Sequence, residues 1–327
     1  MLVETRRRLA DEHQLELKLV GVLNSTKVLL SAEGLNPAEV VRCLPTAAQR
    51  PSDDELLTSL KNWRFTDVIF VDVTAAPMGE FHHKALQCGF HVVTANKRPL
   101  SESLAQYEAL VSAARQAGVQ YGYETTFGAG LPVLHALKEL IQTGDQLMTV
   151  RGCFSGTLGF ICTRLEEGVP LAGAVAEAHS KGLTEPDPRE DLSGRDVARK
   201  ALIIARSAGM ALEADDVRTD PLVPGLEEGL EPALKAFEPL LSDKLASAKA
   251  KGQVLRYVAE VSGTSVQVGL KAVAADSPLG TLSGPDNMLV FQTRRYNEYP
   301  LVIRGPGAGA EVTAAGVLGD VLKIALR

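Results

Sequence analysis

The stretch TDVIFVDVTAAPMGEFHHKALQCGFHVVTANK, residues 66–97, decides the fold. Its first part, TDVIFVDVT (66–74), is a near-continuous apolar run of the kind a parallel sheet buries on both faces. The spacing then predicts a helix over 77–87, a stop at Gly89 and a second strand, FHVVT, over 90–94. Further on, Ser101 is expected to cap the helix SESLAQYEALVSAARQA, Gly118 to stop it, and VQYGYE to supply another strand. Upstream, LELKLVGVL (15–23) reads as a strand and Asn36-Pro37 opens a short helix. Strands alternating with helices at this spacing give an α/β, doubly wound parallel sheet.

After about residue 130 the rhythm changes. VLRYVAEVSG (254–263) and SVQVGLKAVA (265–274) alternate with a period of two across a short turn and read as a hairpin. MLVFQTRRY (288–296) is a further candidate strand, and helices lie between them, so a second, α+β domain is expected. At 327 residues the chain can bury a large core and holds two domains. A net charge of −6 argues against a nucleic-acid partner, which calls for a basic face. No apolar run is long enough to span a bilayer, and the start, MLVETRRRLADEHQ, lacks a secretory core. Cys43, Cys88, Cys153 and Cys162 are too scattered for a disulfide framework and read as free thiols in a reducing compartment. A cytoplasmic location is expected, with an organelle left open.

Polar residues with chemical potential cluster in four places. KGLTEPDPREDLSGRDVARK (181–200) is the densest. Its plain reading is a capping box from Ser193 to Asp196 plus an Asp196–Lys200 pair on a solvated face. Its prolines and charge density suit a loop held rigid for a purpose. Thr74 and Lys97 follow strands at the carboxyl edge, where open α/β sheets bind ligands, although each could be an ordinary loop residue. ETTFGAGLPV (124–133) is either a helix-opening turn or a backbone cradle that offers carbonyls to a hard cation. Finally, PLVIRGPGAGAEVTAAGVLGDVLKIALR (300–327) reads as strand, glycine turn and helix. A dinucleotide fold places that phosphate-binding unit at its start, not here. The six histidines have no partners at zinc spacing, and no nucleophile elbow is present.

Taken in order, VDVT, FHVVTANK, ETTFGAGLPV, FSGTLGFI, GLTEPDPREDLSGRDVARK and GPGAGAEVTAAGVLGD resemble homoserine dehydrogenase, including the form fused behind an aspartate kinase. The resemblance covers almost the whole chain and implies a Rossmann-like nucleotide-binding domain over 1–127, completed by 305–327, with a catalytic and dimerisation domain over 128–304. It implies that the C-terminal glycine turn closes the cofactor site with Gly309 near the dinucleotide. The family begins with a strand and a Gly-x-Gly-x-x-Gly loop before the helix that corresponds to LVETRRRLADE, so the first strand and main phosphate loop are expected to be missing here.

The resemblance further implies reversible reduction of aspartate 4-semialdehyde to homoserine. It gives Lys200 the acid–base role with Asp196 beside it, and Lys97 the cofactor–substrate junction. Glu185 and Asp191 would hold the substrate ammonium, Gly182 and Thr74 would lie near the cofactor, and the backbone at Glu124, Phe127, Ala129 and Leu131 would hold a monovalent cation such as sodium. A homodimer is implied as well. Cofactor choice can be read from residues: an NAD-specific fold places an acid at the end of the second strand. NSTK (24–27) has none and offers Lys27, which favours NADP over NAD. An alternative is a cofactor-poor remnant serving as a dimerisation or regulatory module.

Overall fold

Apolar periodicity and local caps set the element boundaries in the computed structural model, which describes residues 2–327. The first part runs α1 (Leu2–His13), β1 (Gly21–Leu23), β2 (Lys27–Leu30), α2 (Val40–Cys43), β3 (Ala48–Gln49), α3 (Asp53–Asn62), β4 (Ile69–Asp72), α4 (Gly79–Gln87) and β5 (His91–Thr94). Then come α5 (Arg98–Ser101), α6 (Leu104–Ala117), β6 (Tyr121–Gly122) and α7 (Val133–Gln142). The second part holds β7 (Leu147–Cys153), α8 (Gly156–Glu166), α9 (Leu171–Ser180), α10 (Pro188–Leu192), α11 (Arg195–Ser207) and β8 (Val217–Thr219). It continues through α12 (Leu230–Ala250), β9 (Gln253–Ser262), β10 (Ser265–Ala274), β11 (Asp286–Thr293), β12 (Leu301–Pro306) and α13 (Ala310–Ala325).

β4, β5 and β6 form the expected parallel sheet in that order, with Ile69 opposite His91 and Val92 opposite Tyr121. Every residue of β5 is buried, as a central strand with cover on both faces requires. α4 turns Phe81, Ala85 and Leu86 inward, and α6 packs against it. The cap of α6 is Ser103 rather than Ser101: Ser103 Oγ accepts from the Gln106 amide at 3.2 Å. Ser101 is already inside α5, where its hydroxyl donates to the Lys97 carbonyl. Gly118, at φ +69°, ends α6 as expected.

Upstream the structure departs from the sequence reading. The strand expected over 15–23 is only Gly21–Leu23, and it pairs antiparallel with β2 rather than joining β4. A local hairpin wins because Asn24 Oδ1 accepts from the amides of Thr26 and Lys27, closing a short turn at small entropic cost. β3 completes this three-stranded ribbon. Asn36 caps a turn through the Ala38 amide, and the following helix begins only at Val40. The outer edge of β4 meets no strand among the described residues. There, residues 15–20, β4 and α13 enclose an apolar cleft of about 840 Å³ that includes Leu17, Leu19, Val71, Val73 and Val317.

The second sheet has six strands in the order β12-β11-β7-β9-β10-β8. The hairpin read from 254–274 is present as β9 and β10, with Ser262 opposite Ser265. β7 joins β11 to β9, and β8 adds in parallel to β10. α8, α11 and α12 pack on β9, and Val197, Ala201, Leu202 and Ile204 of α11 are buried there. α13 returns to the parallel sheet, touching β5 and the turn at Glu124–Thr126. Two glycines permit that close approach: a Cβ on Gly130 would meet Val312 O at 2.4 Å, and one on Gly316 would meet Thr125 Cγ2 at 2.4 Å. Among the described residues no helix is long and apolar enough to cross a membrane.

Candidate active site

Gly194 sets the geometry of the charged segment. Ser193 does not form the expected capping box: it closes α10, donating through Oγ to Glu190 O and accepting from the Arg195 amide. Gly194, at φ +74°, is instead the N-cap of α11. After the reversal at Gly194, Lys200 is buried and the Asp196 side chain is half exposed. Lys200 is 9% exposed and its ammonium donates to Asp196 Oδ2 at 2.8 Å and to Phe154 O at 2.8 Å. An ammonium has three donors, so one is left for an incoming oxygen. Lys97, from the loop after β5, reaches the other Asp196 oxygen at 3.4 Å. Burial raises the Asp196 pKa, but the ammonium groups of Lys200 and Lys97 outweigh it and hold the carboxyl at about 2. Two cations around one carboxylate leave net positive charge where an oxyanion would form.

Glu185 lies in the loop before α10, and Asp191 lies within α10. Asp191 Oδ2 accepts from the Glu185 amide at 2.8 Å, which fixes the loop. The Glu185 side chain is exposed and its carboxylate meets no donor among the described residues. Gly182, at φ +66°, turns the chain out of α9 with nothing within 4 Å of a Cβ placed there. Thr74 is tied to the same neighbourhood as Lys97, because its hydroxyl accepts from Asn96 Nδ2 at 3.4 Å.

The turn after β6 is built from buried residues. Glu124 does not point its carboxylate into a cavity; Oε1 and Oε2 accept from the amides of Leu134 and His135 and so cap α7. Burial, with Asp320 nearby, raises its pKa although His135 and the two amides work the other way. The backbone carbonyls of Phe127 and Ala129, both residues buried, accept no hydrogen bond from the described residues. Ala129 sits at φ +55°, a left-handed conformation that costs an L-residue about 1–2 kcal/mol. Leu131 O already accepts from the Val133 amide. Two orphaned buried carbonyls suit a hard monovalent cation.

Gly309, at φ +124°, begins α13 with no side-chain cap, so first-turn amides there are open to an anion. Lys27 is not free: its ammonium donates to Ala47 O at 3.1 Å within the β1–β2–β3 ribbon. The apolar cleft beside β4 contains none of Lys97, Asp196 or Lys200, but Ala310 and Thr313 of the first turn of α13 lie in its lining. Among the described residues no cluster of three or more metal-ligating side chains occurs. Sequence reasoning missed Asp72, His82, Asn96 and Asp320. The available signal for Asp72 was an acid inside an apolar strand, which must find partners when buried.

Together the parallel sheet, its carboxyl-edge residues and the Lys–Asp–Lys trio define a nucleotide-binding α/β protein of the dehydrogenase class. Two family models cover nearly the whole chain: "Homoserine dehydrogenase, NAD binding domain" matches residues 4–124, and "Homoserine dehydrogenase" matches 132–322. The chain belongs to the homoserine dehydrogenase family. It is 40% identical over 328 residues to the bifunctional aspartokinase/homoserine dehydrogenase of Haemophilus influenzae, covering 98% of this chain and 40% of that protein. Against bifunctional aspartokinase/homoserine dehydrogenase 2 of Escherichia coli the identity is 37%, covering 95% and 39%. The chain thus spans about two fifths of the curated relatives it matches. Among solved structures, a Candida auris protein of unknown function superposes with a TM-score of 0.87 at 32% identity, covering 98% of this chain and 94% of that one. A hyperthermophilic archaeal homoserine dehydrogenase in complex with NADPH gives 0.73 at 25%, covering 98% and 93%.

Proposed function

We propose that this chain is a homoserine dehydrogenase, interconverting L-aspartate 4-semialdehyde and L-homoserine with NADP as its nicotinamide cofactor. The observation that carries the reading is the buried Lys200, bonded to Asp196 with Lys97 on the far side of the same carboxylate. When bound, the cofactor supplies or accepts the hydride. In the direction of reduction, negative charge grows on the aldehyde oxygen, and the remaining donor of Lys200 is available to stabilise and protonate it. Asp196 holds Lys200 in that orientation, and Lys97 adds a second positive charge. Glu185, whose carboxylate meets no donor among the described residues, meets the substrate ammonium, with Asp191 fixing the loop.

The cofactor is held in this reading by Thr74, Lys97, Gly182 and the open helix terminus at Gly309, and a monovalent cation such as sodium by the carbonyls of the Glu124–Leu131 turn. Lys27 would have to release Ala47 to meet a 2′-phosphate. Residues 1–127 with 305–327 are read as the nucleotide-binding half, and 128–304 as the catalytic half through which a cytoplasmic homodimer forms. The hydrogen bond from the Glu124 amide to Asp320 Oδ2 supports that assignment of the C-terminal segment.

The test is oxidation of L-homoserine by the chain with NADP, followed by nicotinamide absorbance, with Lys200→Ala alongside. Wild-type turnover and a loss of about 10²-fold or more in the variant are expected. A variant within threefold of a turning-over wild type refutes the acid–base assignment, and no wild-type turnover refutes the function of this chain.

A further inference from the structure

Lys97 caps α5 through its backbone, its carbonyl accepting from the amides of Leu100 and Ser101, while its side chain is one third exposed. A second constraint comes from its neighbour in sequence. Asn96 is 3% exposed and uses both ends of its amide. Its Oδ1 accepts from the Arg98 amide at 3.1 Å, spanning Lys97 like a bracket. Its Nδ2 donates to Ala76 O at 2.8 Å and to Asp72 Oδ2 at 3.0 Å, and lies 3.4 Å from Thr74 Oγ1. One side chain therefore joins the loop after β4, which carries Thr74, to the loop after β5, which carries Lys97.

Asp72 is the anchor of this bracket. It is 6% exposed at the end of β4, and its Oδ1 accepts from the Thr74 amide at 2.8 Å. Its Oδ2 lies 3.4 Å from Thr94 Oγ1 and 3.1 Å from His82 Nε2. The His82 contact is at hydrogen-bond distance but off the hydrogen-bond line, since Nε2 has no aligned acceptor. On its far side, His82 Nδ1 pairs with Tyr121 Oη at 3.0 Å, so the imidazole is clamped between β4 and β6. His82 is fully buried, and the buried Asp72 carboxylate would be costly without its partners. Burial raises the Asp72 pKa, yet His82, Thr74 and Asn96 outweigh it and the carboxyl stays below its ordinary value.

We propose that Asn96, anchored on the buried Asp72–His82 pair, is the positioning residue that sets Lys97 against Asp196. It acts through Lys97 and touches no substrate. The inference builds on the reading of Lys97 as part of the active site, but its primary test does not depend on turnover.

The experiment is competitive acetylation of the intact chain with a trace of acetic anhydride, read by mass spectrometry as the rate at Lys97 relative to the exposed Lys249. Asn96→Ala should raise the relative rate at Lys97 by about threefold, the weight of a partly exposed ion pair released from Asp196. If turnover is present in the wild type, kcat should fall by up to about 10²-fold while KM for homoserine changes little, because the cation is misplaced and the substrate carboxylates are not. Should Asn96→Ala not fold, Asp72→Asn keeps the volume and should release Lys97 in the same way. A folded variant whose Lys97 labels at the wild-type rate overturns the proposal. Wild-type inactivity with the labelling change present overturns the functional reading alone.

Discussion

Replacing Gly194 by alanine tests how the catalytic helix is started. Gly194 holds φ +74°, where an L-residue pays about 1–2 kcal/mol. A Cβ placed there would lie 1.8 Å from Tyr257 Oη and 2.8 Å from its Cζ. The ring cannot swing into solvent, because Tyr257 is 3% exposed and its hydroxyl donates to Asp220 O at 2.8 Å. Moving it breaks that bond and strands a buried hydroxyl, at about 1–3 kcal/mol. The sum is about 2–5 kcal/mol of lost stability. Urea unfolding followed by circular dichroism measures it directly. Tyr257→Phe deletes the atom in closest conflict, so the double variant should be more stable than the two single costs predict, by about 1 kcal/mol or more. A Gly194→Ala loss below about 1 kcal/mol, or an additive cycle, would show that α11 does not begin in the way described.

Glu185→Gln keeps the shape of the side chain and removes its charge, so KM for homoserine should rise by the equivalent of about 1.5–3 kcal/mol. An unchanged KM assigns the ammonium to another carboxylate. Asp72 has a depressed pKa, so its contribution to stability is complete above the unfolded value of about 3.9 and is lost as pH falls through the lower folded value. The stability gap between wild type and Asp72→Asn should therefore shrink in urea titrations below about pH 4; a gap that stays constant down to about pH 3 refutes this. Replacing about 100 mM choline chloride by sodium chloride should raise the thermal midpoint by about 2 °C or more if Phe127 O and Ala129 O hold the cation. Equal midpoints would leave those carbonyls without a ligand.

Residues 66–97 were legible because each signal there is local: an apolar run, a helix period, a glycine stop and a lysine just past a strand. The β9–β10 hairpin was legible for the same reason. What failed depended on partners elsewhere in the chain. Leu15–Val20 has strand composition, but pairing is decided by what lies alongside, and β2 closes a hairpin only with Gly21–Leu23. Ser101 and Ser103 are equally good caps by type; the short α5, held by Lys97 O, occupies the first of them. The Ser193 reading missed Gly194, whose positive φ is visible only in three dimensions. Lys200 looked like a solvated i, i+4 partner, and only the carbonyl of Phe154, brought in from β7's end, shows it as buried. Asp72, His82 and Tyr121 come from three separate elements, so no spacing rule could have joined them.

The bond from the Glu124 amide to Asp320 Oδ2 spans 196 positions of chain. At ribosomal rates of 5–20 residues per second, Glu124 is made roughly 10–40 s before Asp320 exists. During that interval β5 and the turn at Glu124–Thr126 lack the cover that α13 gives them, and the Glu124 amide lacks its acceptor. The nascent nucleotide half is therefore a half-roofed intermediate whose apolar face is open to neighbouring nascent chains. Closure itself is thermodynamically cheap, since loop entropy grows only logarithmically with length, so the delay is one of timing. A chain stalled on the ribosome before Ala310 emerges should engage holdase chaperones at this face, and the full chain should release them as α13 docks.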